Sequence, residues 1–511
     1  MNKEIKSIVI VSLITILSRL SGFIREMTLA SFYGVTFFTD AYLLSNAIPS
    51  VIFSGIAIAL GTIFIPVYSN IVENESKNKA LDFTNTIINI VILISVLMSV
   101  LTIMFTKPIV MIFASGFEGE ILKLTIKFSK VLLLSIVFIG INYILIAFLE
   151  ANKKYYIPVF SRIPVNAFII ISIILSYIIN INILIYGTLL SMFLQTIILV
   201  SFVYKVGYRY KVFINIKDEN IKKMFVLVIP VFLSTAVGKL NVLIDKSLAS
   251  TLEEGSISAL NFGDKINLMI YGIVIASMIT VIYPNMIKVA LKDNIIIFKR
   301  YIIKIINIII LLVIPLSVLT MCLSTPIVKI LFQRGHFNYR ATFLTSETLF
   351  YYSIGLIGIS IIGFLTRVFY SLEDSKTPVI IGVLTMIVNI ILNFLLVNYL
   401  KHKGLALATS ISSLFGAILL LFYLRKKLGS IGEIKIIFLT IKVSISSLFM
   451  FMGVKLFYKI SNFLNNNTIT ELMLLLFSII IGGLIYLLLI KLMKVKEFKL
   501  VSKEVKTFLK L

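Results

Sequence analysis

Four ionisable side chains, Arg19, Arg25, Glu26 and Asp40, fall inside "SRLSGFIREMTLASFYGVTFFTDAY" (residues 18–42), between two long apolar runs. A charge at the centre of a bilayer costs roughly 2.5–3.5 kcal/mol on insertion scales, so such groups pair with one another or face a polar cavity. Arg19, Gly22 and Glu26 share a helical stripe at i, i+3 and i+7, with Arg25 on a neighbouring stripe. The second half of the chain carries its own set: Lys239, Asp245, Lys246, Asp264, Lys265 and Arg367. For Asp40, Glu26 and Lys239, packing salt bridges explain the charge as well as binding does. Arg19, Arg25 and Lys265 favour binding, because cations converging on one cavity attract phosphate. Arginine would hold it through a bidentate fork and lysine as a point charge.

A second constellation is polar and nearly uncharged. Asn389 and Asn393, in "IVNIILNFLL", are i, i+4 on one helix face, and Thr409, in "GLALATSISS", follows on the next helix. With Asp245 added, these oxygens would suit a small hard cation such as sodium. Interhelical hydrogen bonding by asparagine, common in membrane bundles, explains the same residues. No His, Cys or carboxylate cluster has metal-ligand spacing, and no catalytic residue stands out. Cys322 is the single cysteine, which excludes a disulfide framework.

The elements that position these residues follow from composition. The chain has 511 residues, 59% hydrophobic and 14% charged, with a net charge of +25. Mean hydropathy is +1.06. A soluble protein carries about 25% charged residues, so the expectation is an all-α polytopic membrane protein. Its lysines lie in short tracts between apolar runs, as in loops facing the inner leaflet, which argues against a nucleic-acid partner. Apolar runs of about 20 residues give about fourteen transmembrane helices. They lie near 6–33, 38–69, 81–113, 121–150, 156–180, 183–205, 219–250, 256–290, 297–332, 342–371, 377–399, 404–425, 434–459 and 468–493. The stretches at 150–154, 205–223 and 425–427 and the tail after Lys491 are basic, and read as cytoplasmic. FYGVTFFTD, TLEEGSIS and NFLNNNTITE read as external, with KHK (401–403) an exception. Both termini are then expected in the cytoplasm.

The chain also echoes itself. "LAS" recurs at 29–31 and 248–250, "SGIAIALGTIFIPVYSN" (54–70) parallels "YGIVIASMITVIYPNMIK" (271–288), and "YYIPV" (155–159) parallels "SKTPV" (375–379), pairs about 217 to 220 residues apart. Six helices separate corresponding ones, so the halves would be parallel repeats, two six-helix lobes around a central cavity. The expected organisation is an N-lobe at 1–210, a C-lobe at 211–430, and two further helices with a basic tail at 431–511.

The run SR-x2-G-x2-RE followed by A-x3-G-x5-DA (18–41) resembles the first two helices of MurJ-type (MviN) lipid II flippases. "ILFQRGHFN" (330–338), "FYSLEDSKTPV" (369–379) and "DKSLASTLEEGSISALNFGDKI" (245–266) are similar to further family segments, so the resemblance covers essentially the whole chain. It implies a multi-pass protein of the bacterial cytoplasmic membrane, in the MOP superfamily of exporters, working as a monomer. Its activity would be alternating-access export of lipid II, the undecaprenyl-diphosphate-linked peptidoglycan precursor, in cell-wall biogenesis. Carried over by position, Arg19, Arg25 and Asp40 match functional charged residues, and Lys265 stands where the family usually has arginine after the aspartate, here Asp264. Asp245, Asn389, Asn393 and Thr409, with a carbonyl from Leu405, fall on positions of a sodium site in some members. Gly22, Gly34 and Gly272 are candidate bending points. Two departures stand out: "SVIFS" (50–54) lacks the basic residue usual after Pro49, and no glutamate follows the Asp264–Lys265 pair.

Other readings compete. An exporter of another polyprenyl-diphosphate-linked polysaccharide unit shares most of these features. A cation-coupled drug antiporter would carry acidic residues in its cavity. An enzyme acting on lipid-linked sugars usually has a large extramembrane loop with carboxylates, whereas the longest loop here, 205–223, is merely basic.

Overall fold

The structure, a computed structural model, describes residues 3–290, 294–430, 432–461, 468–495 and 498. No strand occurs among them. In a bilayer every backbone N–H and C=O has to be satisfied within the protein, which an α-helix does within its own segment. The first half folds as α1 (Lys3–Tyr33), α2 (Phe37–Asn74), α3 (Lys77–Met104), α4 (Thr106–Phe113), α5 (Gly119–Leu132) and α6 (Ser135–Ala151). There follow α7 (Tyr156–Phe160), α8 (Arg162–Ile178), α9 (Asn182–Lys205) and α10 (Glu219–Ser250). The second half begins with α11 (Ser256–Tyr271), which passes through a π-helical turn (Gly272–Ala276) into α12 (Ser277–Ala290). Next come α13 (Ile295–Cys322), α14 (Ser324–Phe332), α15 (Tyr339–Ile354), α16 (Leu356–Ser371) and α17 (Lys376–Leu400). The last described helices are α18 (His402–Leu428), α19 (Glu433–Ser461) and α20 (Thr468–Leu492).

The count of fourteen spans is not reached. Among the described residues eleven helices are long and apolar enough to cross a membrane, or thirteen if α5–α6 and α15–α16 are each one bent span. The further helix, α1, is 31 residues long and carries Arg19, Arg25 and Glu26. Several expected spans are broken where the sequence runs on apolar: α3 from α4 at Phe105, and α13 from α14 at Leu323. Many large apolar side chains face outward, among them Leu93 at 66%, Ile179 at 68% and Leu492 at 67% exposed. Water would penalise so large an apolar surface; lipid would not.

Two compact units form. The first takes residues 1–258 with 334–337, the second 259–333 with 338–511. Within the first unit α10 packs along α2, where Thr235 Oγ1 donates to the Gly55 carbonyl at 3.1 Å. A Cβ on Gly55 would touch Phe232. In this unit Phe64, Phe83, Phe148 and Tyr208 form a buried aromatic core. In the second unit α19 and α20 pack in the same way, with Tyr486 donating to the Leu311 carbonyl at 2.7 Å and Lys329 paired with Glu471. NFLNNNTITE falls largely, and the tail beyond Phe498 wholly, outside the described residues.

The internal echo is present as repeated local geometry. The α5–α6 and α15–α16 pairs bend by 43° and 46°. Phe117 N–H donates to the Ala114 carbonyl at 3.0 Å, and Phe337 N–H to that of Arg334 at 3.1 Å. Lys153 and Glu373 both take left-handed backbone, at φ 61° and 58°. Each is followed by the same helix-closing bond, Lys154 N–H to Leu149 O at 2.8 Å and Asp374 N–H to Phe369 O at 2.9 Å. The basic exception KHK is partly neutralised inside the second unit: Lys403 Nζ reaches Glu347 Oε1 at 2.9 Å, and buried His402 lies 3.5 Å from the other oxygen.

Candidate functional site

Arg25 is built into α1 by its neighbours. Its guanidinium donates to Asn166 Oδ1 of α8 at 3.1 Å and to Glu26 Oε1 at 2.7 Å. Asn166 Nδ2 in turn donates to Ser21 Oγ at 2.9 Å, tying α8 to α1 a turn below. Glu26 is buried and Arg25 half-buried, its side chain 31% exposed. Arginine has five N–H donors in a fixed fork. Two are used here, which leaves the others for oxygens from outside. Arg19 is exposed and makes no ion pair among the described residues. Sequence reasoning named Arg25 and Glu26 but missed Asn166. Its signal was weak: one amide in the apolar run "RIPVNAFIIISIIL" (162–175).

Asp40 has a different placement. It is 2% exposed, and its carboxylate accepts Gly255 N–H and Ser258 N–H, each at 2.7 Å, along with the Ser258 hydroxyl. These donors belong to the first turn of α11 and the residue before it, where helical N–H groups lack intrahelical partners. The oxygens are filled from within the chain, so Asp40 acts as a clamp in this structure. Around it a latch assembles at the α1–α2 turn. Phe37 N–H donates to Glu254 Oε1 at 2.9 Å and His336 N–H to the Ser31 carbonyl at 2.8 Å. Tyr177 Oη meets His336 Nε2 at 2.7 Å, and Gly116 N–H reaches Ser250 Oγ at 3.1 Å. Gly34 (φ 64°), Gly255 (φ 90°) and Gly335 (φ 57°) make the close approach possible. A Cβ at Gly34 would lie 2.5 Å from the His336 carbonyl oxygen, and one at Gly335 2.3 Å from that of Ser31. Gly34 is thus a tight-turn residue. Gly22 sits inside unbroken α1 with only Asn166 at contact distance, whereas Gly272 opens the π-helical turn, a local distortion frequent at functional sites.

In the second unit Lys265 is half-buried on α11 beside Asp264, and makes no ion pair among the described residues. Asn389, Asn393, Thr409 and Leu405 are brought together by α17 and α18. Asn393 Nδ2 donates to Asn389 Oδ1 at 2.9 Å, and Thr409 Oγ1 to the Leu405 carbonyl at 3.0 Å. Asn389 Nδ2 lies 3.4 Å from both Thr409 Oγ1 and Ser412 Oγ. Asp245, on α10, belongs to the first unit, with Asn241 Nδ2 3.4 Å away. In this structure the Asn389 and Leu405 oxygens accept from the chain's own N–H and O–H groups, the hydrogen bonding by asparagine that the sequence equally allowed. No cluster of three His, Cys, Asp or Glu side chains able to hold a metal occurs among the described residues.

Comparison with known proteins gives a consistent result. A family model described as lipid II flippase MurJ matches residues 29–478. A protein of Borreliella burgdorferi named "Probable lipid II flippase MurJ" is 30% identical over 477 residues, covering 90% of each chain. Among solved structures, one described as lipid II flippase MurJ in an inward closed conformation superposes with a TM-score of 0.81 at 26% identity, covering 95% of this chain and 98% of that one. A multidrug MATE transporter of the MOP superfamily shares the fold, with a TM-score of 0.69 at 15% identity over 83% of this chain and 99% of that one.

Proposed function

Because the chain belongs to the MurJ family of lipid II flippases, we propose that it moves lipid II from the inner to the outer leaflet of the bacterial cytoplasmic membrane by alternating access. It is a transporter of the MOP superfamily fold and not an enzyme. The observation that carries the reading is Arg25. A guanidinium inside a helix of a membrane protein, oriented by Asn166 and Glu26 and with N–H donors to spare, suits a diphosphate. Arg19 supplies a second cation on the same helix; Lys265, on α11 of the second unit, is a separate candidate phosphate contact. Lysine there gives a point charge where the family's arginine would give a fork. With no basic residue after Pro49, Arg25 carries more of the recognition.

The polyprenyl tail stays in lipid while the charged headgroup crosses on the protein. A membrane potential negative inside favours outward movement of an anion, by about 2.3 kcal/mol per charge per 100 mV. The Asp40 latch restrains the α1–α2 turn, and its release accompanies the change of access. Asn389, Asn393, Thr409 and the Leu405 carbonyl would hold sodium, and a sodium gradient would then reset the empty carrier.

The test is replacement of Arg25 in cells that depend on this chain for flipping, reading the lipid II that becomes accessible outside. Arg25→Ala at normal expression should leave none; wild-type accessibility in that variant would sink the phosphate-holding role.

A further inference from the structure

The two units build the same corner with one difference. In the second, the turn after α16 ends in Asp374, whose carboxylate meets Lys427 Nζ at the C-terminal end of α18 at 2.8 Å. In the first, the turn after α6 has the same left-handed residue and the same closing bond, and is likewise followed by a proline, Pro158 for Pro378. Where the second unit has Asp374, the first has Lys154. The counterpart of α18 is α9, which ends in Lys205; at the same spacing Lys205 matches Arg425, and Lys427 matches Gly207. The carboxylate–ammonium pair is thus lost from this corner, where Lys154 and Lys205 stand instead. A cavity of about 390 Å³ lies there, lined by Lys154, Tyr156, Ile157, Phe202, Lys205 and Val206. Neither lysine makes an ion pair among the described residues; Lys205 Nζ lies 5.3 Å from the Phe202 ring centre. Arg209 stacks on Tyr204 at 3.2 Å and adds a third cation at this end of α9.

We propose that this cavity binds the phosphate of an anionic phospholipid headgroup, which takes the place that Asp374 fills in the other half. Two lysines facing one cavity call for an anion from outside the chain, and the surroundings fit a lipid. The spans Tyr156–Ile178 and Asn182–Lys205 border the cavity. Tyr155, Tyr156, Phe160 and Tyr204 are exposed beside it, as aromatic rings are at a membrane–water boundary. Basic pockets between spans on the cytoplasmic side are where anionic headgroups bind. The site is separate from Arg25 and independent of what the protein transports.

The test uses the full chain purified into phosphatidylcholine bilayers with and without phosphatidylglycerol, reading the unfolding temperature. Phosphatidylglycerol should raise it for the wild type. Lys154→Asp places the other half's carboxylate in the cavity that Lys205 lines, and is expected to hold its unfolding temperature in phosphatidylcholine while losing the phosphatidylglycerol increment. Lys222→Asp, the same charge change outside the cavity, should keep the increment. The proposal fails if the wild type shows no increment, if Lys154→Asp keeps it in full, or if both variants lose it equally. Millimolar inorganic phosphate that reproduces the increment in phosphatidylcholine would also overturn it, by showing a soluble anion to be the ligand. Should Lys154→Asp not fold, Lys154→Gln replaces it with the same readout and the same expected loss.

Discussion

Arg25 shows how one side chain can be both balanced and available. Glu26 offsets its charge, Asn166 fixes its plane, and the remaining N–H donors stay free for a ligand. Arg25→Lys keeps the charge, but a single ammonium cannot span Asn166 and Glu26 as the fork does. Transport should therefore fall well below wild type at unchanged expression, and near-normal external lipid II in that variant would show that charge alone suffices. Removing the cation also strips buried Glu26 of this partner, so Arg25→Ala/Glu26→Gln separates a folding defect from a transport defect. Outside the spans, Asp374 makes a pH prediction. Burial alone would raise its carboxyl, but the Lys427 ammonium and the Thr377 N–H and hydroxyl hold it down to about 2. A carboxyl depressed on folding adds stability above its unfolded pKa, and that stability is lost as pH falls through the folded value. The contribution, about 1 kcal/mol for a partly solvated pair, should be present at pH 5 and fade between about pH 4 and 2. Asp374→Asn should unfold more readily than wild type at pH 5 and converge with it toward pH 2; a constant difference across that range would contradict the ion pair.

At the scale of elements, the latch gives the sharpest expectation. Gly255→Ala would place a Cβ 2.4 Å from Val35 Cγ1 at a backbone φ of 90°. Left-handed strain and the clash together cost about 1–3 kcal/mol, so the variant should melt several degrees lower, and an unchanged melting temperature would mean the turn relaxes freely. The apolar runs were legible because a bilayer demands about 20 such residues in succession. The breaks within them were not. Nothing in the hydropathy around Phe105, Leu133 or Leu323 marks a helix end; at Phe105 and Leu323 the mark is a proline three residues on, Pro108 and Pro326, whereas Leu133 has neither glycine nor proline beside it. The repeat was legible in its spacing, and the matched turns at Lys153 and Glu373 bear it out. Asp40 illustrates the limit on the site. Its charge within an apolar segment singled it out, yet the donors it binds lie over 200 residues away at Gly255 and Ser258. Asn389 and Asn393 were readable as a pair by their i, i+4 spacing, and they do bond to each other.

For the molecule as a whole, fold and family agree, and the cavity chemistry expected from the sequence, lysine at 265 and no basic residue in 50–54, bears on the proposed cargo. Either the remaining cations suffice for lipid II, or a related polyprenyl-diphosphate cargo is carried. A sodium role predicts that Asn393→Ala makes transport insensitive to an imposed sodium gradient without altering expression; equal sodium dependence in mutant and wild type would remove the site. The most direct measurement is rescue of cells depleted of their own lipid II flippase by this chain, with external lipid II assayed in parallel. Growth together with restored external lipid II is expected. A well-expressed protein that restores neither would contradict lipid II as the cargo.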